Sequence, residues 1–311
     1  MLRQMSEETE RKRTERETRL EAAAAVAEES HRPASAEEAW ELWHEKGVEV
    51  FMAYTDDNRP HSEWESWGRA SWYDESRCPV CRGDRQSIAE LDYCPCFRAW
   101  QCYLETRRLL PYSLRDITLK NLKPHTASLL GTPVEQQREI DFIREHCHDG
   151  FVFLGPTGSS KSTFAAALLY NAIYEDALGP MESKKYIWRI DGRQFFEAEH
   201  AWVTGKEDAK RLITADDIRR ARAYRFRPVL VLEEIDKRKM TEFNADCLFN
   251  VVNAMDENDG QLIVTTNLTV DGYAKLFSTS ESESVRACGD AICRRLFKCE
   301  QKGRYVRNYW K

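Results

Sequence analysis

The 311-residue sequence has no apolar run approaching the roughly 20 residues that cross a bilayer as a helix, which excludes a helical membrane-spanning protein. It also offers nothing for secretion: Met1 to Arg19 is almost all charge, and the apolar stretch Ala22 to Ala27 is too short for a signal-peptide core. There is no excess of positive charge. The formal net charge of −6 argues against a protein coated in nucleic acid by bulk electrostatics, although it is compatible with a local basic groove. No internal repeat is visible. These absences point to a cytoplasmic protein with one substantial core and a smaller module.

Cysteine is plentiful, at ten residues. A cytoplasmic chain keeps its thiols reduced, so clustered cysteines read better as metal ligands than as disulfides. Cys78 and Cys81, with Cys94 and Cys96, form Cys-x2-Cys-x12-Cys-x-Cys. Each short pair can present two sulfurs to one tetrahedral ion. Zinc is the first choice, with unliganded thiols or an iron–sulfur cluster as alternatives. Cys102, Cys147, Cys247, Cys288, Cys293 and Cys299 stand outside this pattern.

The stretch Phe151-Val-Phe-Leu-Gly155-Pro156-Thr157-Gly158-Ser159-Ser160-Lys161-Ser162-Thr163 is an apolar strand that turns through a glycine loop into a helix. Successive backbone N–H groups of such a loop converge on phosphates, and the following helix aims its positive end at them. The pattern predicts that residues 155–163 bind ATP. Lys161 would reach the β/γ-phosphates and the Ser162 hydroxyl would coordinate Mg²⁺. Ser160 stands where the usual pattern has glycine. A left-handed conformation there would cost about 1–2 kcal/mol.

Hydrolysis also needs acids. Val229-Leu-Val-Leu-Glu233-Glu234-Ile-Asp236 is a buried-strand pattern ending in paired carboxylates. Glu233 would hold the Mg²⁺ hydration shell and Glu234 would orient or deprotonate water. Glu233 occupies a position usually held by Asp. The strand Leu262–Thr265 leads to Asn267, a γ-phosphate sensor or simply a turn-capping amide. Arg294 and Arg295 follow a short helical pattern; one could stabilise transferring phosphate charge, or the two could form a surface pair. Lys237, Arg238 and Lys239 could touch a nucleic-acid backbone or be a solvated charge run.

Strands are expected at Phe151–Leu154, Tyr186–Ile190, Val229–Leu232 and Leu262–Thr265, with helices between them, Ser162 to Leu178 being one. That alternation is the pattern of an α/β parallel sheet covered on both faces. Upstream, residues 1–34 read as a charged helical or disordered arm. Residues 35–110 read as a partner-binding region containing the cysteine module at about 72–102, and 111–311 as the nucleotide domain. Trp40, Trp43, Trp64 and Trp67 suggest an aromatic face, for core packing or for a protein partner.

With these elements in order, Asp116 to Lys311 resembles the AAA+ ATPases of the DnaC/IstB group. Cys78-Pro-Val-Cys81, Cys94-Pro-Cys96 and Tyr112-Ser-Leu-Arg-Asp-Ile-Thr-Leu-Lys-Asn-Leu resemble the zinc-bearing N-terminal modules of DnaC/DnaI-like helicase loaders. The resemblance implies an AAA+ sheet without a C-terminal lid. It gives Glu233 and Glu234 as Walker-B acids, Asn267 as sensor 1, and Arg295 as an arginine finger donated to a neighbour in an ATP-dependent homo-oligomer. It implies a slow ATPase using ATP, Mg²⁺ and Zn²⁺ that binds a replicative DNA helicase and helps place it on single-stranded DNA. A transposition helper of the IstB kind, delivering a transposase, and a non-hydrolysing nucleotide-gated zinc adaptor are the rival readings. Asn253-Ala254-Met255 stands where loaders often carry a further arginine. This departure, with Ser160 and Glu233, is expected to slow turnover more than binding.

Overall fold

The computed structural model describes residues 95–115, 117–124, 131–178, 185–206, 208–297 and 304–309. The chain divides into two compact units, Met1–Tyr103 and Leu104–Lys311. In the first, the described part is the start of helix α1 (Pro95–Leu109). Cys78, Cys81 and Cys94 lie outside the described residues, and of Cys96 only its helical backbone is described. The tryptophan-rich region and the charged arm also fall outside them.

The second unit is built on five parallel strands, β1 (Gly150–Leu154), β2 (Lys185–Asp191), β3 (Arg227–Glu233), β4 (Gln261–Thr266) and β5 (Arg304–Asn308), in the order β2-β3-β4-β1-β5. Strands β1, β3 and β4 read as nearly continuous apolar runs because both their faces are covered. Alternate residues serve alternate faces. Val152, Leu154, Leu230, Leu232, Leu262 and Val264 belong to the core built with helices α4 (Gly192–Val203), α5 (Ala215–Ala223), α6 (Glu242–Glu257), α7 (Val270–Ser278) and α8 (Glu283–Phe297). On the opposite face, Phe151 packs edge-on to Phe142 of α2 (Pro133–Glu145), and Phe153 packs against Phe164 of α3 (Lys161–Leu178).

Helix starts are encoded locally. Thr132 and Glu135 form a capping box with Pro133 at the first turn, as do Thr214 and Asp217 at α5. Asp191, the last residue of β2, accepts from the N–H groups of Arg193 and Gln194 and so turns the strand directly into α4. The four expected strands are present, each one to three residues longer than its apolar run. Strand β5 was not expected: Arg304-Tyr-Val-Arg-Asn is too polar to read as an interior strand. Its Arg307 is accommodated by partners. Arg307 pairs with the carboxylate of Glu139 on α2 and lies 4.3 Å from the Phe142 ring centroid, and Tyr309 donates to the same carboxylate at 2.8 Å.

Candidate nucleotide site

The parallel sheet places the ends of β1, β3 and β4 side by side, because Leu154 is level with Thr266 and Glu233 with Thr265. Ligands of open parallel sheets bind at this C-terminal edge. The loop from Gly155 to Ser160 starts where Gly155 N–H donates to the Thr266 carbonyl at 3.3 Å. A side chain on Gly155 would run into Ser159 and Tyr309, each 2.8 Å from the added carbon, so glycine is required by close packing there. Gly158 (φ 89°) and Ser160 (φ 64°) take left-handed conformations. Ser160 therefore carries the strain expected of a side chain in glycine's place.

Helix α3 begins at Lys161, one residue earlier than the sequence pattern suggests. Its ammonium turns back into the loop and donates to the carbonyls of Gly155 at 2.7 Å and Pro156 at 2.8 Å. Only 8% of the residue is exposed. Burial pushes the ammonium below the ordinary lysine range, while the carboxylates of Asp236 and Glu234 pull it back up. Ser162 is exposed and Thr163 half-buried on the first turn of α3, and Pro156, Thr157 and Gly158 form the rim of the loop.

At the end of β3 the two paired acids part company. Glu233 is buried and forms an ion pair with Arg189 of β2. Burial pushes its carboxyl above the usual carboxylate range, Arg189 opposes that shift, and the charge of Glu234 adds to it. Glu234 is half-buried, left-handed (φ 54°), bonded through its N–H to the Thr265 carbonyl at 2.9 Å, and paired with Lys237. Asp236, three residues beyond Glu233, accepts from Thr266 Oγ1 at 2.7 Å and from the N–H of Asn267 at 3.4 Å. The sensor candidate Asn267 is thereby tied to the acidic turn. Opposite, a side chain on Gly192 would meet Ile235 Cα at 2.6 Å, so the start of α4 packs directly on this turn.

The structure thus brings the loop, Lys161, Glu234 and Asn267 to one edge. Arg295 is held elsewhere, on α8: it donates to Asn253 and to the Ala291 carbonyl, and its guanidinium lies 5.2 Å from the Phe249 ring centroid. Arg294 is exposed. Arg238 pairs with Glu197, and Lys237 with Glu234, so two of the three basic residues considered for DNA contact already have acidic partners. Sequence reasoning missed Arg189 and Asp236. The signals were an arginine inside the strand Tyr-Ile-Trp-Arg-Ile, which needs a buried partner, and a third acid in Glu-Glu-Ile-Asp.

The residues fit Mg²⁺ with a nucleotide: a hydroxyl-bearing helix start faces the sheet edge that carries three carboxylates. A second group of metal-type ligands, Cys147, His148 and Glu175, lies at the opposite end of the strands, with ligand atoms within 4.8 Å of one another. There the ammonium of Lys185 already sits on Glu175, and Asn171 donates to it at 2.8 Å. The positive charge is therefore supplied by the protein.

No family model and no curated protein sequence matches the chain. Among solved structures it is similar to the DnaC helicase loader (19% identity, TM-score 0.39, covering 63% of this chain and 98% of that one). It is also similar to DnaI (11%, TM-score 0.42, 65% and 92%) and to the Aeropyrum pernix ORC1 protein in complex with DNA (16%, TM-score 0.35, 55% and 44%).

Proposed function

We propose that this chain is an AAA+ ATPase of the helicase-loader kind, which binds ATP with Mg²⁺, hydrolyses it slowly and helps place a replicative DNA helicase on single-stranded DNA. The observation that carries the ATPase part is the convergence of the β1–α3 loop, the Glu234 turn and Asn267 on one edge of a parallel sheet. The loader part rests on the sequence resemblance of the cysteine module and residues 112–122 to loader N-terminal regions.

In this reading the N–H groups of residues 157–162 hold the phosphates, with the start of α3 adding its dipole. Lys161 exchanges the Gly155 and Pro156 carbonyls for phosphate oxygens, which lifts the burial cost on its charge. Ser162 would hold Mg²⁺, which when bound offsets the charge of the β- and γ-phosphates. Glu234 orients the attacking water and Asn267 senses the γ-phosphate. Arg295 acts on a neighbour's nucleotide, for which it must leave Asn253. Cys78, Cys81, Cys94 and Cys96 hold one zinc ion, and the N-terminal region binds the helicase.

The test is a pair of measurements on the full chain. ATP turnover is expected in the parent and lost in Glu234→Gln with nucleotide binding kept, and a replicative helicase should be retained on immobilised protein. Binding without any turnover in the parent would favour the nucleotide-gated adaptor, to which the strained Ser160 and the Arg189-bound Glu233 lend support. Retention of a transposase instead of a helicase would favour the transposition helper. Elemental analysis should find about one zinc per chain, lost in Cys78→Ser/Cys81→Ser.

A further inference from the structure

The Walker-B pattern assigns the metal shell to the first acid after β3, yet in this chain that acid is already committed. Glu233 is buried and ion-paired with Arg189 on the neighbouring strand. Arg189 is itself anchored, donating to the Leu109 carbonyl at 3.3 Å. Drawing Glu233 away would leave a guanidinium without its counter-ion in a mostly buried place, and breaking such pairs is costly.

Asp236 stands differently. The left-handed turn at Glu234 folds the chain back so that Asp236 reaches the end of β4, where Thr266 Oγ1 and the Asn267 N–H both hold its Oδ1. Thr266 is also the residue whose carbonyl receives the Gly155 N–H, so one residue joins this carboxylate to the phosphate loop. No described residue donates a hydrogen bond to Oδ2, and Asp236 is half-buried, not sealed. A carboxylate oriented by two donors on one oxygen, with the other oxygen receiving none from the described residues, and tied through Thr266 to the phosphate loop, suits a hydrated divalent cation.

We propose that Asp236 is the carboxylate that holds the Mg²⁺ shell at the phosphate loop, and that Glu233 serves as the fixed counter-ion of Arg189. This rests on the nucleotide-binding reading above and names which acid serves that site. It also accounts for the glutamate at position 233: the longer side chain reaches Arg189, and the metal task passes to an aspartate three residues on. Asp236 would act on the metal's waters and on Lys161, and through Asn267 it would link the γ-phosphate sensor to the metal.

The experiment is an Mn²⁺ titration of the full chain with a non-hydrolysable ATP analogue, followed by electron paramagnetic resonance. Mn²⁺ prefers oxygen donors, so the cysteine module contributes no signal. Asp236→Asn keeps the Oδ1 acceptor and removes the charge. It should weaken nucleotide-dependent Mn²⁺ binding by about tenfold to a hundredfold, the scale of lost metal-orienting groups. Glu233→Gln should weaken it at least threefold less than Asp236→Asn does. If Asp236→Asn fails to fold by circular dichroism, Asp236→Glu replaces it, compared with Glu233→Asp by the same criterion. Equal or greater loss on changing residue 233, or parent-like Mn²⁺ affinity on changing residue 236, would overturn the assignment while nucleotide still binds. A parent chain that binds no nucleotide in equilibrium dialysis would overturn the nucleotide reading and this assignment together.

Discussion

The turn after β1 and the turn after β3 each put a residue with a side chain into the left-handed region, Ser160 at φ 64° and Glu234 at φ 54°. An L-residue there costs about 1–2 kcal/mol. At Ser160 the work is done by the backbone, whose N–H groups must point inward, and glycine would do it at lower cost. At Glu234 the side chain itself is wanted at the edge of the sheet, so glycine is no substitute. The same backbone device is thus strain that glycine would relieve in one turn and strain tied to a candidate catalytic group in the other. The supports differ too. The first turn is gathered by a lysine that nucleotide would draw away, the second by a backbone bond to Thr265, the close approach of Gly192 and the Asp236–Thr266 bond, none of which nucleotide would displace.

Three substitutions sharpen that contrast. The largest effect is expected from Arg189→Met, which leaves Glu233 buried without its counter-ion. A loss of about 2–3 kcal/mol is expected, somewhat below the range for fully buried pairs because Arg189 is partly exposed. The folded carboxyl is already raised above its unfolded value by burial and would rise further. A raised carboxylate costs stability in full above its folded pKa, and the cost is relieved as pH falls through it. Urea unfolding should therefore show the gap between variant and parent narrowing from pH 8 to pH 5. A pH-independent gap would show that the carboxylate is not the group left stranded.

Gly192→Ala is expected next. Its methyl would meet Ile235 Cα at 2.6 Å and must push the acidic turn away, costing about 1–3 kcal/mol. It should lower the thermal midpoint and slow ATP turnover while sparing nucleotide affinity; an equal loss of affinity would mean the two turns are not separable. The smallest effect is at Ser160→Gly. Relief of the left-handed strain, set against the greater unfolded freedom of glycine, predicts a gain of about 1 kcal/mol, or roughly 2–4 °C in a domain of this size. A fall in the midpoint would show that the serine side chain makes a stabilising contact that outweighs the strain.

The sheet interior was legible in the sequence because β1, β3 and β4 are apolar on both faces, and the loop was legible because glycine, lysine and serine fall at fixed spacing between a strand and a helix. Strand β5 was not, since Arg307 and, one residue past the strand, Tyr309 are satisfied by Glu139, about 170 residues away in the chain, which no local pattern reveals. The site was half legible for the same reason. That Glu233 and Glu234 end a strand follows from the order of residue types, whereas the pairing of Glu233 with Arg189 depends on β2 lying beside β3, with Asp191 level with Glu233. The tie of Asp236 to Thr266 likewise depends on β3 lying beside β4. Sequence shows which acids are present; strand order decides which of them faces the loop.

The central claim is that the β1–α3 loop binds nucleotide phosphate through Lys161. It is tested most directly by titrating the full chain and its Lys161→Ala variant with a fluorescent ATP analogue in the presence of Mg²⁺. Loss of a charge-assisted contact to the phosphates, worth about 2–3 kcal/mol, predicts saturable binding by the parent and affinity weaker by about 30-fold to 150-fold in the variant. Equal affinity in the two proteins would contradict the claim.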